Sequence, residues 1–456
     1  MREYRLTCDK FEYISILDVR ARKAAGEHAV FNVKGHIGAD TDEYVLRSMA
    51  GQGVEFTAES DDGDKKLFNG IIEDIGIRVE NEMRILTVNV VSRTTLMDIE
   101  PKIRTFQDSG MTYGMVTNHM EETGGMGNFL WPSSGDTPIG SMTVQYKETD
   151  WQYAGRLASR LGKVIIPDYL LDEPYVAMGM TKRAAHEGLE VMSYELKKAV
   201  KRFRDAQSTD FSERDAIYYV VKSREILDLC DPVPFLGTML YVYAIDTAYE
   251  GEQLVHYYTL KEESGFYARR YFNEDLNGVS LTGAVAAVKA DMVRIRISGD
   301  VEQTNHKWFS YATPFSQPGG QGWYFMPEPG DEVRLMFPSE QEDDAYVSSA
   351  VHITHGSRDN TEVKFIRTIH GQIIRFDPTG ILIEDSVGSR ITMHKDEGIL
   401  MSTGRTVNIT AQSDVILSAS GKVEISGQGG VVMQKGESSV NVEDSVDISS
   451  EHTREQ

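Results

Sequence analysis

The residues of this chain best suited to acid–base chemistry are two adjacent carboxylate pairs, Asp61/Asp62 and Asp343/Asp344. Glycosidic cleavage takes two carboxyl groups facing each other across a groove, one as acid and the other as base or nucleophile. Sequence neighbours in polar, turn-forming runs do not face each other in that way, so both pairs read as solvated turns. His186-Glu187 opens a zinc-protease pattern, but Glu190 stands where the second histidine is required. His352 and His355 are too few ligands for a metal site and read as caps of a linker. Neither a Gly-x-Ser-x-Gly nucleophile turn nor a phosphate-binding glycine loop occurs. The chain is therefore expected to be no enzyme, with no catalytic residue, no cofactor and no metal site.

Composition narrows the partners. With 456 residues the chain is long enough for two to four domains and a sizeable core. Its formal charge of −23 and pI near 4.9 oppose phosphate backbones and anionic lipid, so nucleic acid is not an expected partner. Cys8 and Cys230 are the only cysteines, which excludes a disulfide scaffold or a zinc cluster and suits a reducing compartment. The start of the chain carries Arg2, Glu3, Arg5, Asp9 and Lys10 in place of an apolar signal core, and no apolar run reaches the length of a membrane span. Synthesis in the cytoplasm without a signal peptide is expected.

Between about Ile383 and Ile448, apolar residues come in pairs two apart that recur every eight residues: Ile391/Met393, Ile399/Met401, Val407/Ile409, Val415/Leu417, Val423/Ile425 and Val431/Met433. At 40% apolar content, filling these positions by chance in some register has a probability of roughly one in ten thousand. Residues i and i+2 share one face of a strand, so each octad is a short strand with one inward pair. Gly398, Gly404, Gly421, Gly429 and Gly430 mark the corners. Two inward residues per repeat enclose little within one chain. Three chains winding about one axis would supply three pairs per row and pair the sheet edges between chains, at roughly 2 kcal/mol per buried side chain. A single-chain β-solenoid is the alternative.

The remaining elements are mostly strands. Residues 67–79 and 84–91 alternate like strands about a turn at Glu80, Asn81 and Glu82, which predicts a meander or small barrel in the first hundred residues. A helix is expected from Asp150 to Leu161. Thr149 is its N-cap, Gln152 completes a capping box, Trp151, Ala154, Leu157, Ala158 and Leu161 form one face, and Gly162 ends it. A longer helix is expected from about Thr181 to Ala206, with Leu189, Met192, Leu196, Val200 and Phe203 in one stripe and a basic opposite face that is solvated or a protein contact. From Leu281 to His352, five short strands punctuated by Gly319, Gly320, Gly322 and Pro329-Gly330-Asp331 predict a Greek-key barrel of the oligonucleotide/oligosaccharide-binding (OB) type. The flank Glu340, Glu342, Asp343 and Asp344 is acidic, which argues against nucleic acid on that barrel.

Three stretches resemble motifs of the VgrG spike of type VI secretion and the hub-and-spike proteins of contractile phage tails: Leu67-Phe-Asn-Gly-Ile-Ile72, Val144-Gln-Tyr-Lys-Glu-Thr-Asp-Trp151 leading into the Arg156–Leu161 helix, and Gly322-Trp-Tyr-Phe-Met-Pro-Glu-Pro-Gly-Asp-Glu-Val333. With the octad repeat they span nearly the whole chain. The resemblance implies a mainly β protein: a hub of β-barrel domains with helical insertions over residues 1–275, an OB-fold barrel over 280–358, a trimeric β-helix needle over 361–450 and a polar tail over 451–456. It implies a homotrimeric, non-enzymatic hub and membrane-puncturing spike. The hub would dock a hexameric inner tube protein among baseplate proteins, and the needle would be driven through a target cell envelope as part of an injection particle. The chain departs from some relatives. There is no room for a lysozyme domain after His352, no effector domain follows Ile448, and the iron-binding His-x-His of the tip is missing because His452 stands alone, which suggests a separate PAAR-like tip protein. A trimeric tail-spike glycan hydrolase or glycan-binding fibre is the alternative.

Overall fold

A computed structural model of the chain describes residues 4–38, 47, 51–61, 63–124, 126–184, 188–200, 212–298, 306–317, 319–350 and 360–450. The chain divides into two units, Met1–His352 and Ile353–Gln456.

The first unit is organised by one eleven-stranded sheet that draws on two distant parts of the sequence. Strands Arg5–Cys8, Gly53–Glu59, Lys65–Glu80, Met83–Ser92, Val30–Ile37 and Tyr13–Ala24 follow one another across one half. Thr238–Glu250, Gln253–Lys261, Ile217–Ser223 and Ser193–Lys198 continue it, with Pro232–Phe235 beside Thr238–Glu250. A single antiparallel ladder, from Ala24↔Ala244 to Arg20↔Ala248, joins the halves. The hairpin expected in the first hundred residues is present, with Asn81 and Glu82 both at positive φ (49° and 67°) between Lys65–Glu80 and Met83–Ser92. Two positive-φ turn residues match the twist of a tight hairpin. Val19, Phe31, Val33, Phe56, Phe68, Val88, Val221, Val242 and Leu260 fill the core beneath the sheet.

Residues 93–178 are inserted between the halves and carry two α-helices. Helix α1 spans Tyr113–Glu122 and helix α2 spans Asp150–Ser159. In α2 the capping box closes as anticipated: the Thr149 hydroxyl accepts from Gln152 N, and Thr149 N donates to the Gln152 side chain. Gly162, at φ 68°, turns the chain away from the helix end.

The longer helix from Thr181 to Ala206 does not form. Ser193–Lys198 is a strand, antiparallel to Ile217–Ser223 from Ser193↔Lys222 to Lys198↔Ile217. Met192, Leu196 and Val200 lie four apart, a spacing that both the helical and the strand period satisfy. Tyr194 decides between them: on the strand its ring meets Phe235 at 5.4 Å and Tyr219 at 6.3 Å, contacts that a solitary helix would forgo. Phe203, at the far end of the expected stripe, lies outside the described residues.

The barrel is built from Ser280–Lys289, Met292–Ile297, Trp308–Ser310, Glu332–Met336 and Tyr346–Ala350. The sheet runs Trp308–Ser310, Met292–Ile297, Ser280–Lys289, Glu332–Met336, Tyr346–Ala350. A parallel bridge from Tyr311 to Val347 then brings its two edges together, as the OB fold requires. Val293, Ile295, Phe309, Val333, Leu335 and Phe337 fill the interior, and Met142 and Val144 from the insertion join the same cluster.

In the second unit, Lys364–Arg367, Ile373–Asp377, Gly380–Glu384, Arg390–His394 and Gly398–Ser402 form an antiparallel meander. The first two octad pairs face each other across it, Ile391↔Met401 and Met393↔Ile399. Val431 and Met433 lie on Val431–Lys435, which pairs with Ser438–Val442.

Between these two sheets the needle core expected among three chains has no counterpart within one chain. Residues 403–430, which carry the pairs Val407/Ile409, Val415/Leu417 and Val423/Ile425, contain no strand. All six of these side chains are exposed, Leu417 at 69%, so none of them is a core residue within one chain. In the flanking rows Met393, Ile399, Met401 and Met433 are exposed as well, while Ile391 and Val431 are half-buried. The physical reason is the narrowness of the repeat: an octad brings in one apolar pair and leaves its strand edges without a ladder, which is too little to close a core around itself.

His256 on strand Gln253–Lys261 sets a pH dependence for the hub core. Its ring is 3% exposed, Nδ1 meets Thr247 Oγ1 at 2.8 Å, and the Tyr258 ring lies 5.8 Å away. Burial, then the charges of Lys23 and Lys65, lower its pKa from the ordinary 6.5 to about 3. Below pH 6.5 the unfolded chain takes up a proton that the folded chain refuses, so the contribution to stability is full above pH 6.5 and is lost as pH falls towards 3. Compared with the parent protein, His256→Gln should therefore lose less stability between pH 6.5 and 4.5 in urea titrations. Parallel curves for the two proteins would contradict this.

Candidate functional site at the junction of hub and barrel

Strand Thr143–Glu148 leads straight into α2, and this short run places three groups around one point. Arg156, on the second turn of α2, is 2% exposed. Its Nε and Nη2 donate to the two Glu148 carboxylate oxygens, each at 2.7 Å. Nη2 also donates to Val144 O at 2.5 Å, and Nη1 donates to Glu342 Oε1 at 2.6 Å. Beneath them the Tyr153 ring lies 5.1 Å from the guanidinium carbon. Burial alone would lower the Arg156 pKa, but the Glu148 hydrogen bonds and the charges of Glu148 and Glu342 outweigh it and hold the guanidinium above its ordinary value. The fork geometry of arginine makes this possible, since lysine could not serve a bidentate carboxylate and two further acceptors at once.

Glu342 belongs to the barrel, on the single turn Glu342–Asp344 that precedes its last strand. The acidic flank is thus divided, and the pair expected to be solvated is so. Asp343 and Asp344 are exposed, the first paired with Lys307 at 3.1 Å and the second accepting from Ser339 Oγ at 2.6 Å. Glu342, at 4% exposed, is turned inward to Arg156. The same seam carries Gln107 Nε2 donating to Ile295 O at 3.1 Å and Asn273 Nδ2 donating to Tyr146 O at 2.7 Å.

A second ionic cluster braces α2 from its N-terminal end. Asp150 accepts from Lys102 Nζ and Arg104 Nη1, both at 2.7 Å, and from Gln145 Nε2 at 3.1 Å. Burial raises the Asp150 pKa, and these donors more than reverse it, so the carboxyl stays below its ordinary range. Nearby the Thr149 hydroxyl donates to Asp98, and His28 stacks on Trp151 with centroids 4.0 Å apart.

The other chemically capable residues stand apart from this junction. Asp61 is exposed in a turn, and Asp62, His186, Glu187, His352, His355 and His452 lie outside the described residues. Glu190 N donates to Glu225 Oε2 at 3.2 Å. Burial pushes the Cys8 thiol up to about 12 and raises that of Cys230, so both stay protonated at neutral pH. Among the described residues, no group of three or more His, Cys, Asp or Glu is placed to hold a metal ion. Sequence reasoning placed Glu342 only in an acidic flank and missed its pairing, because a carboxylate in an acidic run carries no mark of an arginine 186 positions earlier.

Comparison with known proteins explains why a hub and a barrel share such a seam. Residues 29–166 match the phage tail baseplate hub (GPD) family, and residues 281–352 match the type VI secretion system/phage-baseplate injector OB domain. No curated protein matches the sequence. Among solved structures the chain is similar to the E. coli c3393 protein, a component of the type VI secretion system with structural similarity to the T4 bacteriophage tail proteins gp27 and gp5. The identity is 13% and the TM-score 0.51, over 76% of this chain and 100% of that one. It is also similar to a chain of the Francisella PdpA-VgrG complex in its half-lidded state (10% identity, TM-score 0.54, 88% of each chain). A chain of the lidless PdpA-VgrG complex gives 9% identity and a TM-score of 0.54, over 88% of this chain and 98% of that one. At these identities the likeness to solved structures is one of fold. A baseplate hub followed by an injector barrel defines the class of contractile-machine hubs. This chain carries a region like the baseplate hub and a region like the injector OB domain in one polypeptide, in a fold similar to that of VgrG-type hubs.

The seam predicts a strong asymmetry between single and paired substitutions. Arg156→Met leaves two carboxylates buried without a counter-charge and should cost about 3–5 kcal/mol. Adding Glu342→Gln to it should recover part of that loss. Purely additive costs in urea denaturation of the four proteins would show that Arg156 and Glu342 do not interact.

Proposed function

We propose that the chain works as the homotrimeric, non-enzymatic hub and spike at the tip of a contractile injection machine. The octad repeat carries this reading. Ten of its twelve inward positions are exposed in the single chain, from 44% at Met393 to 72% at Ile399 and Ile409. Side chains of this kind at regular spacing need a partner surface, and a second and third copy of the same repeat supply one in register. In this reading residues 1–275 dock a hexameric inner tube within the baseplate, 280–358 form the barrel, 361–450 form the needle and 451–456 a tail that meets a separate tip protein. Sheath contraction pushes the needle through the target cell envelope, and the work is mechanical, with no bond made or broken. The three rows between Val407 and Ile425, with Leu417 at their middle, have no strand partner within the chain, in keeping with edges that pair between copies.

The full chain should sediment at about three times its mass of 51.1 kDa. Ile409→Asp would gather three carboxylates in an apolar core and should lower the stability of the trimer by several kcal/mol per chain. Asn408→Asp, on the opposite face of the same octad, should change it by no more than about 0.5 kcal/mol. A monomeric parent protein, or equal melting temperatures for the two variants, would overturn the interchain needle.

A further inference from the structure

One surface of the barrel has no explanation in the hub seam or in the octad rows. After strand Trp308–Ser310 the chain leaves the barrel, and its two arms, residues 313–317 and 321–325, fold back on each other. They are held by an antiparallel bridge between Ser316 and Gly322, by Trp323 N donating to Phe315 O at 2.9 Å and by Gln317 N donating to Gln321 O at 2.9 Å. Gly322 is required there: φ is 146°, and a Cβ would lie 2.4 Å from Phe315 O. The hairpin is therefore a built element.

Yet it shields almost nothing of its own. Phe315 is 47% exposed, Trp323 51%, Tyr324 70% and Phe325 56%. Trp323 and Phe325 lie 5.6 Å apart between centroids, and the Tyr324 hydroxyl donates to Ala290 O at 3.1 Å, which ties this arm to the barrel. The barrel core is already filled and does not need them. Four rings exposed by about half or more present about 400 Å² of apolar surface, within the range of the largest and often functional patch on a monomeric protein.

The surroundings favour one occupant. The net charge of −23 and the neighbouring Glu328, Asp331 and Glu332 oppose nucleic acid and anionic lipid. On the barrel wall, strand Met292–Ile297 buries Val293, Ile295 and Ile297 and turns the residues between them outward. Of these, Arg294 already holds the Trp308 ring 4.6 Å from its guanidinium carbon, and Arg296 is exposed. That face therefore accepts aromatic rings over arginine, and an exposed cation beside one such pair is suited to receive another.

We propose that the aromatic hairpin of one copy seats on the outward face of strand Met292–Ile297 of a second copy, with Arg296 against its rings. The contact is head-to-tail, so each barrel gives one hairpin and receives one, and three copies close into a ring where successive copies are related by a third of a turn. It rests on the oligomeric reading above and adds to it the surface that orients the barrels.

The test uses the full chain carrying Phe325→p-benzoylphenylalanine or, separately, Tyr324→p-benzoylphenylalanine. Irradiation should give covalently joined copies on a denaturing gel, with mass spectrometry placing the attachment within residues 292–297 of the second copy. Adding Arg296→Glu should lower the yield at least five-fold. A trimer in sedimentation that cross-links only within each chain, or to another segment, would overturn this contact alone. A monomeric parent protein would overturn it together with the oligomeric reading, and cross-linking to added lipid vesicles in place of a second copy would replace it with a membrane contact.

Discussion

The Arg156 guanidinium is the point at which a hub and a barrel become one body. It sits among two carboxylates, a backbone carbonyl and a tyrosine ring in a space closed to water. An unpaired charge in such a place costs several kcal/mol, and a matched one contributes chiefly geometry. The consequence is positional. Glu342 can reach Arg156 Nη1 only if the acidic turn of the barrel lies over the start of α2, so the ion pair sets where the barrel stands on the hub. The capping box at Thr149 and the Lys102–Arg104–Asp150 cluster fix the helix that carries Arg156. The apolar side of the seam follows the same plan, with Met142 and Val144 completing the barrel core from the hub side.

In the proposed hub and spike, which would transmit thrust, such a seam is a suitable joint. A hydrophobic contact alone is non-directional and tolerates sliding, whereas a bidentate carboxylate with two further acceptors on one planar group tolerates little. The hub sheet shows the same economy of joints, since one ladder between Tyr13–Ala24 and Thr238–Glu250 makes its two halves continuous. The family matches fall on the two sides of the seam, the baseplate hub over residues 29–166 and the injector barrel over 281–352.

Two sets of exposed apolar side chains matter for assembly. In the octad region the set is periodic and spread over rows from Ile391 to Met433, which suits winding with identical copies in register. On the barrel it is confined to the rings of one hairpin, which suits a single docking contact. Both are unfavourable in an isolated soluble chain and become favourable through association.

Much of this was legible in the residues themselves. Strand alternation announced the hairpin about Asn81 and the five strands of the barrel, because the period of two is written locally. The capping box at Thr149 was legible for the same reason, with both partners within one turn. The octad pairs marked a shared face by their spacing, but spacing carries no burial of its own, and pairs such as Val415/Leu417 stay exposed in the single chain. The structure alone decided what depends on distant partners. Residues 193–198 became a strand because Ile217–Ser223 and Phe235 offered a ladder and a ring, while the spacing of Met192, Leu196 and Val200 suited either period. Glu342 became a buried counter-ion because folding brought Arg156 to it, although by sequence it is one acid in an acidic run. Local periodicity and capping are properties of neighbouring residues and can be read in order, whereas the charge that meets a charge is chosen by topology, and only the folded chain contains it.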